Sequence, residues 1–297
     1  MVGRPLRLPG GLCIRSHVVV PFWIAQTCHI SIFDESYIMR LPSREFLAGK
    51  ARVYIFLSRL ATSEAAAHEA VSLLRSALAH RGSARIVVGT GNSQEDLIHA
   101  LVRAPDLDWS RIEVFHMDEY VGMPAQHPAS FRRWLQERLV DVVHPGRTYY
   151  LGGDEPNLEQ ECQRYAALLH AAPIDICFIG FGENGHIAFN DPAVADFNDS
   201  LAIKRVKLDE RCRRQQVGEG HFPSFDAVPP EALTLTCPEL LRAEHLICTV
   251  PELRKAEAVR NALKGPITEA CPSSVVRTHP AAAVYLDADS ASLLPES

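Results

Sequence analysis

Three clusters in this chain hold residue types suited to acid–base chemistry on a small anion. The first is Met117-Asp118-Glu119-Tyr120-Val121-Gly122, two adjacent acids behind the apolar run Ile112-Glu113-Val114-Phe115. Paired carboxylates there are costly unless solvated or hydrogen-bonded. One of the two acids can turn into a crevice as a general base while its neighbour points elsewhere into a structural contact; a solvated loop with a helix cap is the plain alternative. The second cluster runs from Gly180 through Gly182-Glu183-Asn184-Gly185-His186 to Asp191. Its glycines permit a tight, irregular backbone. His186 can gain and lose a proton near neutral pH, which suits opening of a sugar ring. Asp191 or Glu183 could fix its tautomer from the other ring nitrogen, although a lone histidine is often only a packed core residue. The third cluster is Gly89-Thr90-Gly91-Asn92-Ser93. Small residues let the backbone approach an anion, Thr90 and Ser93 offer hydroxyls, and a following helix offers free N–H groups. The spacing is neither a Walker loop nor G-x-G-x-x-G, so no nucleotide is implied, and an ordinary strand-to-helix turn would read alike. Lys255 can bring a positive charge to a phosphate monoester, or be a solvated helix lysine.

These clusters need a frame. Short β-branched runs predict strands at 85–89, 112–115, 174–179, 232–236, 245–250 and 282–286. Helical periodicity predicts helices at 64–80 (stopped at Gly82), around Leu97 to Val102, at about 129–143 and at 252–263. The alternation argues for an α/β fold: a single doubly wound, mostly parallel sheet with helices on both faces, Rossmann-like. Ligands of such sheets sit beyond the carboxyl ends of the strands. Each cluster follows an expected strand end, so all can meet in one crevice. Pro229-Pro230 and Pro272 read as loop breaks. Residues 49–297 read as one domain and residues 1–48 as a poorly ordered extension.

The 297 residues, 47% hydrophobic, can bury a sizeable core. A net charge of −6 argues against nucleic acid or an anionic membrane as partner. The 8 cysteines are scattered without a C-x-x-C pair, which reads as reduced thiols in a cytoplasmic protein. Cysteine and histidine spacing offers no zinc framework. Arg4, Arg7 and Arg15 precede the apolar stretch Val18 to Ala25, the outline of a signal peptide, but Pro21 breaks it and it is too short to span a bilayer. The leader reads as an extension without a role in the fold, with Met39 as an alternative start. A homo-oligomer is possible, with no apolar stripe that requires one.

The clusters, in this order, resemble the glucosamine-6-phosphate deaminase (isomerase) family, whose fold is shared with 6-phosphogluconolactonases. The likeness runs from about Arg52 to the C-terminus. Phe115 to Gly122 looks like the family's F-N-M-D-E-Y-V-G, and Gly185 to Asn190 like its G-H-I-A-F-N, where lactonases tend to read G-H-T-A-S-L. The resemblance implies a hydrolase/isomerase reaction: glucosamine 6-phosphate and water give fructose 6-phosphate and ammonia, with no metal or organic cofactor. Asp118 would move a proton between C2 and C1, and His186 would assist ring opening. Asp191 stands where the family has a supporting glutamate. Gly89, Thr90, Gly91, Asn92, Ser93 and Lys255 would hold the phosphate, with Glu119, Glu183 and Gly185 as further candidates. Three departures stand out. Asn184 replaces a common aspartate, and could still orient the imidazole by accepting its N–H. Asp191 is one methylene short. A phosphate-binding arginine falls on Gln216, with Arg213 and Arg214 nearby. Allosteric activation by N-acetylglucosamine 6-phosphate is not expected. The alternatives are a lactonase using the same histidine to activate water, and a sugar-phosphate-binding regulator with weak chemistry.

Overall fold

The computed structural model describes residues 41–295, so the leader, Met39 and the looseness expected of the extension up to residue 40 lie outside the described residues. From the amino end the chain runs through β1 (Arg44–Ala48), β2 (Ala51–Phe56), α1 (Arg59–Arg81), β3 (Ala84–Val88), α2 (Asn92–Val102), β4 (Ile112–His116), β5 (Asp118–Tyr120), α3 (Phe131–Leu135) and β6 (Arg147–Thr148). It continues through α4 (Leu158–His170), β7 (Ile176–Ile179), β8 (Ile203–Lys207), α5 (Glu210–Gly218), β9 (Glu231–Leu235), α6 (Cys237–Leu240), β10 (His245–Val250), α7 (Ala256–Lys264) and β11 (Ala282–Asp287).

Why the apolar runs become central strands is visible in their side chains. Ile86 and Val88 of β3 face one apolar layer and Val87 the opposite one; in β7, Ile176 and Phe178 divide from Cys177 and Ile179 in the same way. A strand buried on both faces has no polar alternation, hence the continuous hydrophobic runs. One layer is closed by α1 and α2, through Leu74, Leu97 and Leu101, and the other by α4 and α7, through Leu169 and Val259. The sheet has 8 strands in the order β1-β2-β11-β10-β7-β3-β4-β6. Its pairs are parallel except for β1 with β2. Helix α1 begins at Ser58, whose side chain accepts from the Ala61 N–H, and ends at Gly82 in the left-handed region, a stop only glycine takes without cost.

The mostly parallel, helix-covered sheet is as the sequence led us to expect, with two corrections. The expected domain boundary at 48/49 falls at the turn of a hairpin: Arg44–Ala48 pairs antiparallel with Ala51–Phe56 around Gly49. Side chains of β1 alternate between exposed and half-buried, so this edge strand shows no buried run. Second, the sheet is not single. The expected strand at 232–236 belongs to a separate 3-stranded antiparallel sheet, β5-β9-β8. That small sheet packs Tyr120, Val206 and Ala232 with Cys212 of α5, Phe131 and Phe189 into a third apolar cluster. Met117 alone separates the last residue of β4 in the large sheet from the first of β5 in the small one.

Candidate active site

The connections from β3 and from β7 leave in opposite directions across the sheet, and the two strands are neighbours. Their carboxyl ends therefore splay open, the place where open α/β sheets bind ligands. A cleft of about 570 Å³ lies there, walled by the 89–93 loop, Met117, Asp118, the 180–182 turn, His186 and one face of α5.

Asp118 reaches the cleft from the start of β5, and its Oδ1 is buried without a hydrogen-bond partner. Burial, then the charge of Glu119, push its carboxyl well above the usual carboxylate range. The backbone beneath it is held by His116. The Leu151 N–H donates to His116 Nε2 at 2.9 Å, so Nδ1 carries the proton and donates to the Asp118 carbonyl at 2.9 Å. Burial lowers the His116 imidazole to about 3, keeping it neutral. Glu119 points away, as expected of the second acid. Its fully buried carboxylate accepts from Ser130 Oγ at 2.6 Å, from the Arg132 N–H at 3.1 Å and from Arg132 Nε at 3.3 Å. It anchors the start of α3 and takes no part in the cleft.

His186 follows a turn in which Gly182 is required, because a Cβ there would fall on the imidazole ring. Its Nδ1 lies 3.0 Å from Asp191 Oδ1. The ring nitrogen faces that oxygen at close range without an aligned hydrogen bond. Among the described residues nothing bonds Nε2, the nitrogen left to the cleft. Asp191 is fully buried; burial raises its carboxyl, but His186, the Asn184 amide and the Asp209 N–H outweigh this and hold it below the usual range. The shorter side chain therefore still reaches the imidazole. Asn184 does not accept from the imidazole, contrary to expectation. Its Nδ2 donates to Asp191 Oδ1 and Asp209 Oδ2, both at 2.8 Å, and its Oδ1 accepts from the His186 backbone N–H at 3.0 Å. Cys212 Sγ lies within 4.8 Å of the His186 and Asp191 ligand atoms. Burial and the neighbouring Asp191 and Asp209 push this thiol well above the usual range.

The other end of the cleft gathers hydrogen-bond donors and a buried lysine. Gly91, at φ 94°, starts α2 with no side-chain cap, leaving its first N–H groups toward the cleft beside Thr90 and Ser93. Lys255, only 3% exposed, ends the turn Leu253–Lys255, one residue before α7. Among the described residues no acceptor lies within hydrogen-bond reach of its Nζ. Glu219 Oε1 stands 3.9 Å away.

Of the expected residues, Gly89, Thr90, Gly91, Asn92, Ser93, Asp118, His186 and Lys255 share this cleft, and Asp191 and Asn184 stand directly behind His186. Glu183 instead pairs with Arg254 at 3.5 Å, and Gly185 lies outside the wall, against Cys271. Arg213 and Arg214 do not serve the phosphate end. Arg213 bonds the Phe225 and Val228 carbonyls and covers the Phe225 ring, while Arg214 pairs with Glu210 on the exposed face of α5. A helix turns residues 214 and 216 to different sides, and the cleft receives Gln215, Gln216 and Glu219. These three, with Arg254 behind them, escaped the sequence reading. The one local signal was the aligned position of Gln216.

Fold and cleft together define a Rossmann-like α/β enzyme that presents a buried carboxyl and a carboxylate-backed histidine opposite an uncapped helix start and a buried lysine. A family model described as glucosamine-6-phosphate isomerases/6-phosphogluconolactonase matches residues 58–285. The glucosamine-6-phosphate deaminases of Bacillus thuringiensis (strain Al Hakam) and Bacillus cereus (strain AH820) are each 34% identical over 236 residues, 80% of this chain and 88% of theirs. The chain belongs to the glucosamine-6-phosphate isomerase/6-phosphogluconolactonase family. A solved monomeric glucosamine-6-phosphate deaminase superposes with a TM-score of 0.74 at 29% identity, covering 81% of this chain and 99% of that one. A 6-phosphogluconolactonase from Shewanella baltica OS155 gives 0.67 at 20% identity over 82% and 99%, a likeness of fold alone.

Proposed function

We propose that this protein converts glucosamine 6-phosphate to fructose 6-phosphate and ammonia. The observation that carries the reading is Asp118: a buried carboxyl with an unpartnered oxygen, in the same cleft as a carboxylate-backed histidine. His186, steadied by Asp191, moves the proton that opens the sugar ring. Asp118 then takes the C2 proton and returns it to C1. Protonation at C1 leaves an imine at C2, which water converts to the ketone as ammonia departs. The start of α2 and Lys255 hold the phosphate. Residues on this path exchange protons only, so the chemistry asks nothing of a cofactor. The six cysteines among the described residues are free, which suits a reducing cytoplasm. No helix of the described residues is long and apolar enough to cross a membrane.

The test gives purified protein glucosamine 6-phosphate, galactosamine 6-phosphate and 6-phosphogluconolactone, and follows ammonia, ketose phosphate and lactone loss. Ammonia and ketose phosphate in equal amounts from glucosamine 6-phosphate are expected. Saturable binding of the amino sugars without turnover would reject the deaminase reading in favour of a binding protein, and lactone loss alone would favour the lactonase.

A further inference from the structure

The anion end of the cleft contains a carboxylate. Glu219, just after α5, lines the cleft beside Lys255 and is 6% exposed at its side chain. Its Oε1 accepts from Gln215 Nε2 at 2.8 Å and meets Arg254 Nη1 at 2.9 Å, and its other oxygen lies 3.3 Å from His221 Nε2. Lys255 and Arg254 face it from the turn before α7, Gln215 from α5 and His221 from its own loop; Glu183 and Glu252 stand beyond Arg254. Burial opposes its charge, yet His221, Lys255 and Arg254 prevail and hold it ionised down to about 2. An oxygen bound to Lys255 Nζ must therefore sit next to a carboxylate that only accepts hydrogen bonds.

We propose that Glu219 makes this subsite selective for a proton-bearing phosphate: the monoanion, whose P–O–H donates to the Glu219 carboxylate while its other oxygens take Lys255 and the α2 N–H groups. A fully deprotonated dianion would set oxygen against oxygen there, without a proton between them. Phosphate esters lose their second proton near about pH 6, so at neutral pH the monoanion is the minor form, roughly a tenth, and the subsite draws on that fraction. Sulfate has the same shape and carries no proton. The subsite thus discriminates two tetrahedral anions by a single hydrogen. Gln216, a neutral side chain in the same wall, adds no positive charge there and fits the same demand. The inference rests on the sugar-phosphate reading only in identifying this end of the cleft as the anion subsite.

Inorganic phosphate and sulfate are titrated into the protein by calorimetry between about pH 8 and about pH 6. Phosphate should bind on the order of tenfold or more tighter than sulfate, the scale of one hydrogen bond to a charged group. Its affinity should rise as pH falls and the monoanion accumulates. Sulfate reports every titration of the protein that affects anion binding on the same scale, so the difference between the anions isolates Glu219. In Glu219→Gln the amide can donate to a dianion: sulfate binding should improve and the difference vanish, while Glu219→Asp should keep the preference. Equal binding of both anions, binding of neither, or discrimination that survives Glu219→Gln overturns the inference. Turnover of glucosamine 6-phosphate is measured on the same preparation. Activity without discrimination removes only the role of Glu219, and discrimination without activity removes only the proposed reaction.

Discussion

Asn184 Nδ2 donates to Asp209 Oδ2 across 2.8 Å, so the amide, at a position where the family resemblance led us to expect a carboxylate, meets a carboxylate from elsewhere in the chain. Its second hydrogen goes to Asp191, also at 2.8 Å. Asn184→Asp would set three carboxylates together and remove two charge-assisted bonds of about 1.5–3 kcal/mol each. We expect kcat/KM to fall on the order of 100-fold, with a lower melting temperature, and Asp209→Asn in the same chain to recover part of both. Activity raised by Asn184→Asp alone would show the amide to be a handicap after all.

Asp118→Asn keeps the shape of the side chain and removes its ability to take a proton. Proton exchange at C2, followed by NMR in heavy water, should fall by about 10²–10⁴-fold, while phosphate binding stays intact. Unchanged exchange would take the base role from Asp118.

The pH profile follows from the same carboxyl. Its affinity for a proton is raised by burial and by Glu119, so the ionised base is lost as pH falls through a value above the ordinary Asp value of about 4. Asp191 is held ionised below the usual range, and His116 stays neutral down to about 3, so neither produces this limb. The acid limb of kcat/KM should therefore lie clearly above about pH 4. A limb at or below that point rejects Asp118 as the titrating base.

His116→Ala would strip partners from two buried backbone groups, the Leu151 N–H and the Asp118 carbonyl. Each orphan costs about 1–3 kcal/mol, so the melting temperature should drop by several degrees. Because the Asp118 backbone loses its anchor, kcat should fall further than KM rises. A stability loss with kcat unchanged would confine His116 to the core.

The parts legible in the sequence were those written locally. Buried on both faces, β3, β7 and β10 read as unbroken apolar runs, and glycines mark the turns that follow β3 and β7. The small sheet was not legible, because Asp118–Tyr120 is three residues of acids and tyrosine. In β8 only Ile203 and Val206 are buried among charged neighbours. Helix α5 buries Cys212, Gln215 and Gln216 and so lacks an apolar stripe. The partners of Asn184 and Glu219 come from residues 25 and 35 positions away, which no local pattern announces. Glu119 was readable as a structural acid, but not Ser130 and Arg132 as its partners.

The proposed general base and the proposed anion turn hang from different sheets: Asp118 opens the small one, and the 89–93 loop extends the large one, with Met117 as the shortest link between them. A joint one peptide long has no slack. The span from phosphorus to the carbon losing its proton is thereby gauged by the angle between two sheets. The enzyme holds a ruler cut for one chain length, and a sugar phosphate shorter by one carbon would be gripped at one end and missed at the other.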